Sequence, residues 1–422
     1  MDNLTVQKTA QERAFIIAWI FGLLFYFFEY VIRSSPAVMI AQLSTAFGVS
    51  DLGVSSILGT YYYTYSITSL IAGVALDRYG AKFPIALGTG ILALGCILFA
   101  IPTVITGDAG RLLQGAGSAF AFTGCVYLAA HGFAARYIAT AIGFTQCVGM
   151  LGGSAGQFVV GPLLHGGMGI YTFWIAMGVV CAVICILLFF TTPGENKDKE
   201  RDLPFIGILI PYKIVFSNMQ SYFSGLISGL LFAPTTIFAM TWGVAFFQKD
   251  RGFSYVDAVL ICSMVPLGWV IGCPLMGWVS DKIGLRKPVL LIGILIMLLS
   301  FSQLVFFPSL LPAVFSMLLF GIASGVAMIP YTIIKETNPD QVKGSATGAI
   351  NFLTFGVTAI LGPVFASHFG KTLAETTDHF NHFKDAGIFI IAITALALLV
   401  SLMIRETGPA SKKAVDHAGN DQ

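Results

Sequence analysis

The sequence predicts an all-α polytopic membrane protein, with twelve transmembrane helices in two pseudo-symmetric six-helix bundles. Three observations carry this. Of 422 residues, 56% are hydrophobic and only 10% charged, with mean hydropathy +0.84, whereas soluble chains carry about 25% charged residues. Twelve apolar stretches approach or exceed the roughly 20 residues a spanning helix needs. Finally, short blocks of the first half return in the second at nearly constant offset.

The first six stretches cover about 14–46, 50–76, 83–104, 107–133, 138–165 and 168–191. The first is broken only by Glu29 and Arg33, and the second runs into "GVALDRYGAK" (73–82). The fourth opens near Arg111, and the fifth is rich in glycine, ending at Gly161-Pro162. The polar run "TPGENKDKERDLP" (192–204) then separates the halves. The second six cover about 216–248, 254–280, 287–307, 309–335, 344–370 and 384–405. Several exceed the hydrocarbon thickness and are expected to tilt or bend. The domain reading is a tail (1–13), a bundle (14–191), a linker (192–215), a second bundle (216–405) and a tail (406–422).

Twelve spans put both termini on one side, and the Lys/Arg bias says which. Of 23 such residues, Lys249, Arg251, Lys371 and Lys384 lie opposite the termini, and Arg33 and Arg111 lie within spans. The rest, including Lys82, Lys197, Lys199, Arg201, Arg286, Lys287, Lys343 and Arg405, share the side of the termini. Both termini and the linker are therefore expected in the cytoplasm of a bacterial inner membrane. The polar opening "MDNLTVQKTAQER" has no signal-peptide h-region. A net charge of +2 suggests no nucleic-acid partner. The seven cysteines all fall in apolar stretches without metal-type spacing, and read as small packing residues. No cofactor, metal or catalytic site is expected.

The repeat is specific. Gly73, Asp77 and Gly80 map onto Gly277, Asp281 and Gly284 of "GWVSDKIGLRK", each 204 residues later. Gly161-Pro162 returns as Gly362-Pro363. Halves of like topology are a recurring plan of secondary transporters, with the solute site between them at mid-membrane.

With these motifs the chain resembles the major facilitator superfamily over about 14–405. The pattern G-x-x-x-D-R/K-x-G-x-R/K is met by Gly73, Asp77, Arg78, Gly80 and Lys82, with Ala81 where the family often has Arg, and again by Gly277, Asp281, Lys282, Gly284 and Arg286. R-x-x-Q-G-x-G is met by Arg111, Gln114, Gly115 and Gly117. The glycines of span five (Gly149, Gly152, Gly153, Gly156, Gly161-Pro162) resemble the antiporter pattern, although "GPLLHGG" sets Gly-Gly one residue late. The resemblance implies that Asp77 and Asp281 gate the cytoplasmic side, near the N-terminal ends of spans eleven and five, where a helix dipole favours negative charge. It also implies that spans one and four line a central cavity.

The charges within the membrane are the candidates for function. Glu29 and Arg33 are i, i+4, acid first, the favourable order on a helix. Facing lipid, each would cost roughly 2.5–3.5 kcal/mol, so the bundle interior or a wet cavity is expected. Glu29 is the one acid of 21 deep within a span, hence the proton-coupling candidate. Its protonation would free an Arg for an anionic group; the alternative is a permanently ionised Glu29 that neutralises its arginines. Arg33, Arg111, Tyr26, Tyr30, Tyr61, Tyr65, Gln146, Trp242, Tyr331 and Asn351 are the candidate solute contacts, with Tyr127 and Trp269 behind them. His131 and His165, near span ends, read as structural. Organophosphate exchangers of the superfamily hold phosphate between arginines of both halves, whereas both deep arginines here are in the first.

These features point to a functional monomer working by alternating access, in proton-coupled uptake of a carboxylate, amino acid or short peptide. An exporter of a drug or metabolite is the alternative, and a non-transporting sensor the alternative of another class. No H-E-x-x-H, G-x-S-x-G or P-loop pattern argues for an enzyme or an ATP-driven pump.

Overall fold

The computed structural model describes residues 2–195, 205–370 and 378–411. It divides into two compact units, Met1–Ile210 and Pro211–Gln422. Lys197, Lys199, Arg201 and Lys371, used in the sidedness argument, lie outside the described residues.

Unit 1 holds six long helices: α1 (Asp2–Ser34), α2 (Asp51–Tyr79), α3 (Lys82–Phe99), α4 (Val104–Gly132), α5 (Ala135–Phe158) and α6 (Ile170–Thr191). Unit 2 repeats the plan. Its α7 (Met219–Ala233) runs through a π-helical stretch, Pro234–Trp242, into Gly243–Lys249. Then come α8 (Tyr255–Ile283), α9 (Lys287–Phe306) and α10 (Ala313–Ser324, continued by Ile329–Glu336). The last are α11 (Lys343–Phe365) and α12 (His379–Ser401). Packing partners repeat as well: α1 with α5, α2 with α4, and α3 with α4 and α6 correspond to α7 with α11, α8 with α10, and α9 with α10 and α12.

Eleven stretches of the described residues are long and apolar enough to span a membrane; α2, rich in Tyr, Ser and Thr, is the twelfth long helix. Helix starts use short polar caps, as backbone N–H groups require. Ser50, Thr103, Asn218, Ser254 and Asp378 each accept from a backbone N–H of the following turn. Outer faces stay apolar, as at Phe190 and Leu299, because their surroundings are hydrocarbon.

Several boundaries differ from expectation for local reasons. The stretch 14–46 is not one helix: α1 gives way to a 3₁₀ turn, Ser35–Val38, then a short helix, Ile40–Phe47. Pro36 lacks the N–H a continuing helix needs. The expected tail 1–13 is helical from Asp2, and the expected linker becomes helical at Phe205–Phe216. Span five breaks at Val159, ahead of Pro162, before Val160–His165.

Close packing of α1 on α5 depends on Gly152. A Cβ there would lie 2.1 Å from the Phe27 carbonyl oxygen, so only glycine fits without moving a helix. All seven cysteines are free.

Candidate functional site

In unit 1, α1 places Glu29 and Arg33 one turn apart on its inner face. Arg33 directs Nη2 and Nε at a single oxygen, Glu29 Oε1, at 2.5 and 2.9 Å. Tyr61 of α2 completes the group: its hydroxyl accepts from Arg33 Nε at 3.1 Å and donates to the same Oε1. Gly115 of α4 permits this approach, since a Cβ there would sit 2.1 Å from the Tyr61 carbonyl oxygen. The rings of Tyr30 and Tyr65 lie 4.4 and 4.6 Å from the Arg33 guanidinium carbon, within range of cation–π attraction. Glu29 Oε2 takes part in none of these contacts, and the Ser118 hydroxyl of α4 is the neighbour that interacts with the carboxylate. A buried carboxylate oxygen in that state has capacity for a proton or a further donor.

Arg111 of α4 joins the group through a ring. Its guanidinium carbon lies 4.7 Å from the Tyr61 centroid, on which Arg33 also lies at 5.3 Å. Arg111 Nη1 donates to Gln114 Oε1 at 2.7 Å and, at 3.5 Å, to the Ile32 carbonyl. Gln114 Nε2 in turn donates to the Gly95 carbonyl at 3.3 Å. The Arg and Gln of R-x-x-Q therefore make one i, i+3 hydrogen bond, which anchors the guanidinium. Glu29, Arg33 and Arg111 are 0%, 2% and 2% exposed. The expected cavity wall is thus a fully buried cluster here, with the Tyr30 and Tyr65 rings packed on Arg33.

Other candidates fall into three groups. The Tyr26 hydroxyl donates to Gln146 Oε1 at 3.1 Å, and Tyr26 packs edge-on against Tyr30 at 5.1 Å, continuing the cluster. In unit 2, the Tyr331 hydroxyl donates to Asn351 Oδ1 at 2.6 Å. Trp242 is not with that pair. It closes the π-helical stretch of α7, buried against Phe246 and Phe365, because a π turn rotates the following side chains away from the α-helical register. Trp269 donates to Thr235. Tyr127 hydrogen-bonds Glu195 and stacks on His131, near the α2–α3 loop.

The repeated loop motifs are built alike. Gly80 and Gly284 both adopt φ +71°, a backbone conformation that glycine reaches without a Cβ clash. Gly73 and Gly277 lie in the final turns of α2 and α8. Asp77 is exposed. Arg78 and Lys282 lie over the rings of Tyr79 and Trp278, and Lys82 over Phe189. Arg286 binds Asp281 at 2.6 Å and Glu336 at 3.0 Å; burial works against its charge, but these two acids outweigh that and hold its pKa above the usual value.

Sequence reasoning missed the acids that complete these loops. Glu195 accepts from the Ala81 N–H at 3.1 Å and the Tyr127 hydroxyl at 2.7 Å. Glu406 accepts from the backbone N–H groups of Arg286, Lys287, Thr407 and Gly408. Burial would raise its pKa, but the backbone donors prevail and hold it below the carboxylate norm. Each acid follows the last helix of its unit, and both cap the turn after the second helix; that shared placement was the available signal.

Comparison with known proteins agrees with this architecture. The sequence pattern of the Major Facilitator Superfamily matches residues 22–363 and 274–419. The chain is 20% identical to the probable galactarate/D-glucarate transporter GudP of Escherichia coli, over 95% of this chain and 94% of that one. It is 23% identical to a probable hexose phosphate transport protein of Chlamydia trachomatis (92% and 90%), and 23% to the membrane sensor protein UhpC of Escherichia coli (92% and 90%). The solved nucleoside transporter NupG, as its D323A mutant, superposes with TM-score 0.71 at 15% identity, covering 93% of this chain and 99% of that one.

Proposed function

We propose, starting from the fact that this chain belongs to the Major Facilitator Superfamily, that it is a proton-coupled secondary transporter taking up a small organic anion by alternating access. The family is one of transporters rather than enzymes, with a sensor, UhpC, among the relatives. The observation that carries the finer reading is the Glu29–Arg33 contact: two Arg33 N–H donors spent on one carboxylate oxygen.

A guanidinium matches a carboxylate, sulfonate or phosphate with paired N–H donors. In the buried cluster Glu29 occupies those donors. Protonating Glu29 removes the charge that holds Arg33, and Arg33 then turns its fork to the solute. Tyr30 and Tyr65 keep the guanidinium in place during the exchange, and Arg111 adds positive potential from behind Tyr61. Proton and anion thereby bind together. Relatives include probable transporters of galactarate/D-glucarate, hexose phosphate and sulfoacetate, all small organic anions. Among these a carboxylate fits best, because both deep arginines belong to unit 1. The loops 73–82 and 277–287 serve as gates, both termini face the cytoplasm of a bacterial cell, and the monomer suffices.

Export is the reverse flux past the same cluster. A sensor is the second reading, favoured by the likeness to UhpC. Proteoliposomes with an imposed inward proton gradient test all three. The proposal expects concentrative uptake of labelled aldarate or sulfoacetate, abolished by a protonophore, with no uptake of a neutral hexose. Binding without uptake supports the sensor instead.

A further inference from the structure

Asp250, the residue after α7, is a second buried acid, far in sequence from Glu29. Its side chain is fully enclosed, and it takes contacts from two histidines of the first turn of α12. His382 Nδ1 lies 2.8 Å from Oδ2, and His379 Nδ1 lies 3.4 Å from Oδ1. The other ring nitrogen of His382, Nε2, lies 3.0 Å from the Phe369 carbonyl oxygen, and the ring stacks on Phe246 at 5.2 Å. Three segments of unit 2 therefore meet at one imidazole: the end of α7, the π turn Ala366–Gly370 that follows α11, and the start of α12.

The geometry counts protons. A carbonyl oxygen only accepts, so Nε2 carries a hydrogen. A neutral imidazole with hydrogen on Nε2 has a lone pair at Nδ1. That lone pair would face an ionised carboxylate at 2.8 Å, two acceptors with nothing between them. The contact needs one further proton, on Nδ1 or on Oδ2; both descriptions leave the pair with zero net charge and suit an enclosed site.

We propose that Asp250 and His382 form a second proton-binding site, holding one proton between Oδ2 and Nδ1 and thereby latching α7, α11 and α12 together. Burial pushes the Asp250 carboxyl up from its usual range, opposed by His382 and His379, which agrees with a retained proton. The other charged or titratable residues on these elements are Lys249 and Arg251, which flank Asp250 in the chain, His368 in the π turn, Asp378 capping α12, and Lys384 and Asp385 within α12; Arg251 lies over the Phe383 ring at 4.9 Å. His379, about half exposed, gives the proton a way in from water. The folded pair holds this proton more tightly than the two separated groups of the unfolded chain, so the latch stabilises while the proton is held and is lost as pH rises past the point where the pair gives it up.

Proton NMR of the full chain in micelles, with nitrogen-labelled histidine, tests this. The proposal expects one hydrogen-bonded, slowly exchanging ring proton far downfield at about pH 8, where solvated imidazoles are neutral. Asp250→Asn should remove it, since the amide donates to Nδ1 without a shared proton. The melting temperature of the parent chain should fall from about pH 6 to about pH 9, and that of D250N should fall less. Absence of the downfield proton in the parent chain, its persistence in D250N, or equal pH slopes for the two chains would overturn the proposal. The spectrum of the parent chain needs no variant, so a misfolded D250N does not shield the idea.

Discussion

The Tyr61 hydroxyl donates to Glu29 Oε1, the same oxygen that receives two Arg33 N–H groups at 2.9 and 2.5 Å. Three donors on one oxygen stabilise the ionised carboxylate. Tyr61→Phe removes one donor while keeping the ring that lies between Arg33 and Arg111. A hydrogen bond to a charged group contributes about 1.5–3 kcal/mol, and 1.36 kcal/mol corresponds to one pH unit. The variant should therefore reach half-maximal uptake roughly one to two units higher in pH. An unchanged pH profile would show that the Tyr61 bond does not govern the coupling step.

Arg111 is a buried cation whose described partners are neutral: Gln114, the Ile32 carbonyl and two aromatic rings. Replacing a buried charge by an apolar side chain of similar reach is often neutral or stabilising. Arg111→Met should keep or raise the melting temperature while cutting anion uptake at least tenfold. A variant that melts lower yet transports normally would reverse the assignment.

Two glycines of α5 make a matched pair. Gly152 faces the Phe27 carbonyl oxygen, whereas Gly143 has nothing within 4 Å of a built Cβ. Gly152→Ala should destabilise by about 1–3 kcal/mol through overpacking. Gly143→Ala should be neutral or stabilise by up to about 1 kcal/mol. Thermal unfolding of both in one detergent settles the comparison, and equal behaviour would refute the α1–α5 contact.

Glu406 acts as a cap supplied from 119 residues beyond Lys287 in the chain. Its loss in Glu406→Ala should cost about 1 kcal/mol, the usual scale of a missing cap. Its folded pKa lies below the unfolded value. The stabilisation is therefore present above the unfolded pKa and is lost as pH falls through the folded one. The difference in melting temperature between parent and variant should shrink on acidification below about pH 4; a constant difference would exclude the capping account.

Local arrangements were legible in the sequence, because helical periodicity is local. Glu29 and Arg33, four residues apart, had to share a face of any helix, and they are paired. The Gly80 and Gly284 turns followed from the same periodicity ending at glycine. Contacts between distant segments were not legible. Glu195 on Ala81, Glu336 on Arg286 and His382 on Asp250 join residues 50 to 132 positions apart, and composition along a greasy chain carries no record of which distant helix ends meet. Trp242 lies apart from the Tyr331–Asn351 pair, packed on Phe246 and Phe365 at the end of a π-helical stretch, and hydropathy does not report such a change of helical phase. The burial of the tyrosine cluster was equally hidden: aromatic residues on α1 and α2 read the same whether they wall a wet cavity or pack into dry protein.

The central claim is that Glu29 exchanges a proton for its hold on Arg33. Glu29→Gln in proteoliposomes tests it most directly, with both ΔpH-driven uptake and solute exchange measured on the same preparation. The account predicts that concentrative, gradient-driven uptake disappears while exchange of internal for external anion persists. Gradient-driven accumulation equal to that of the parent chain would contradict it.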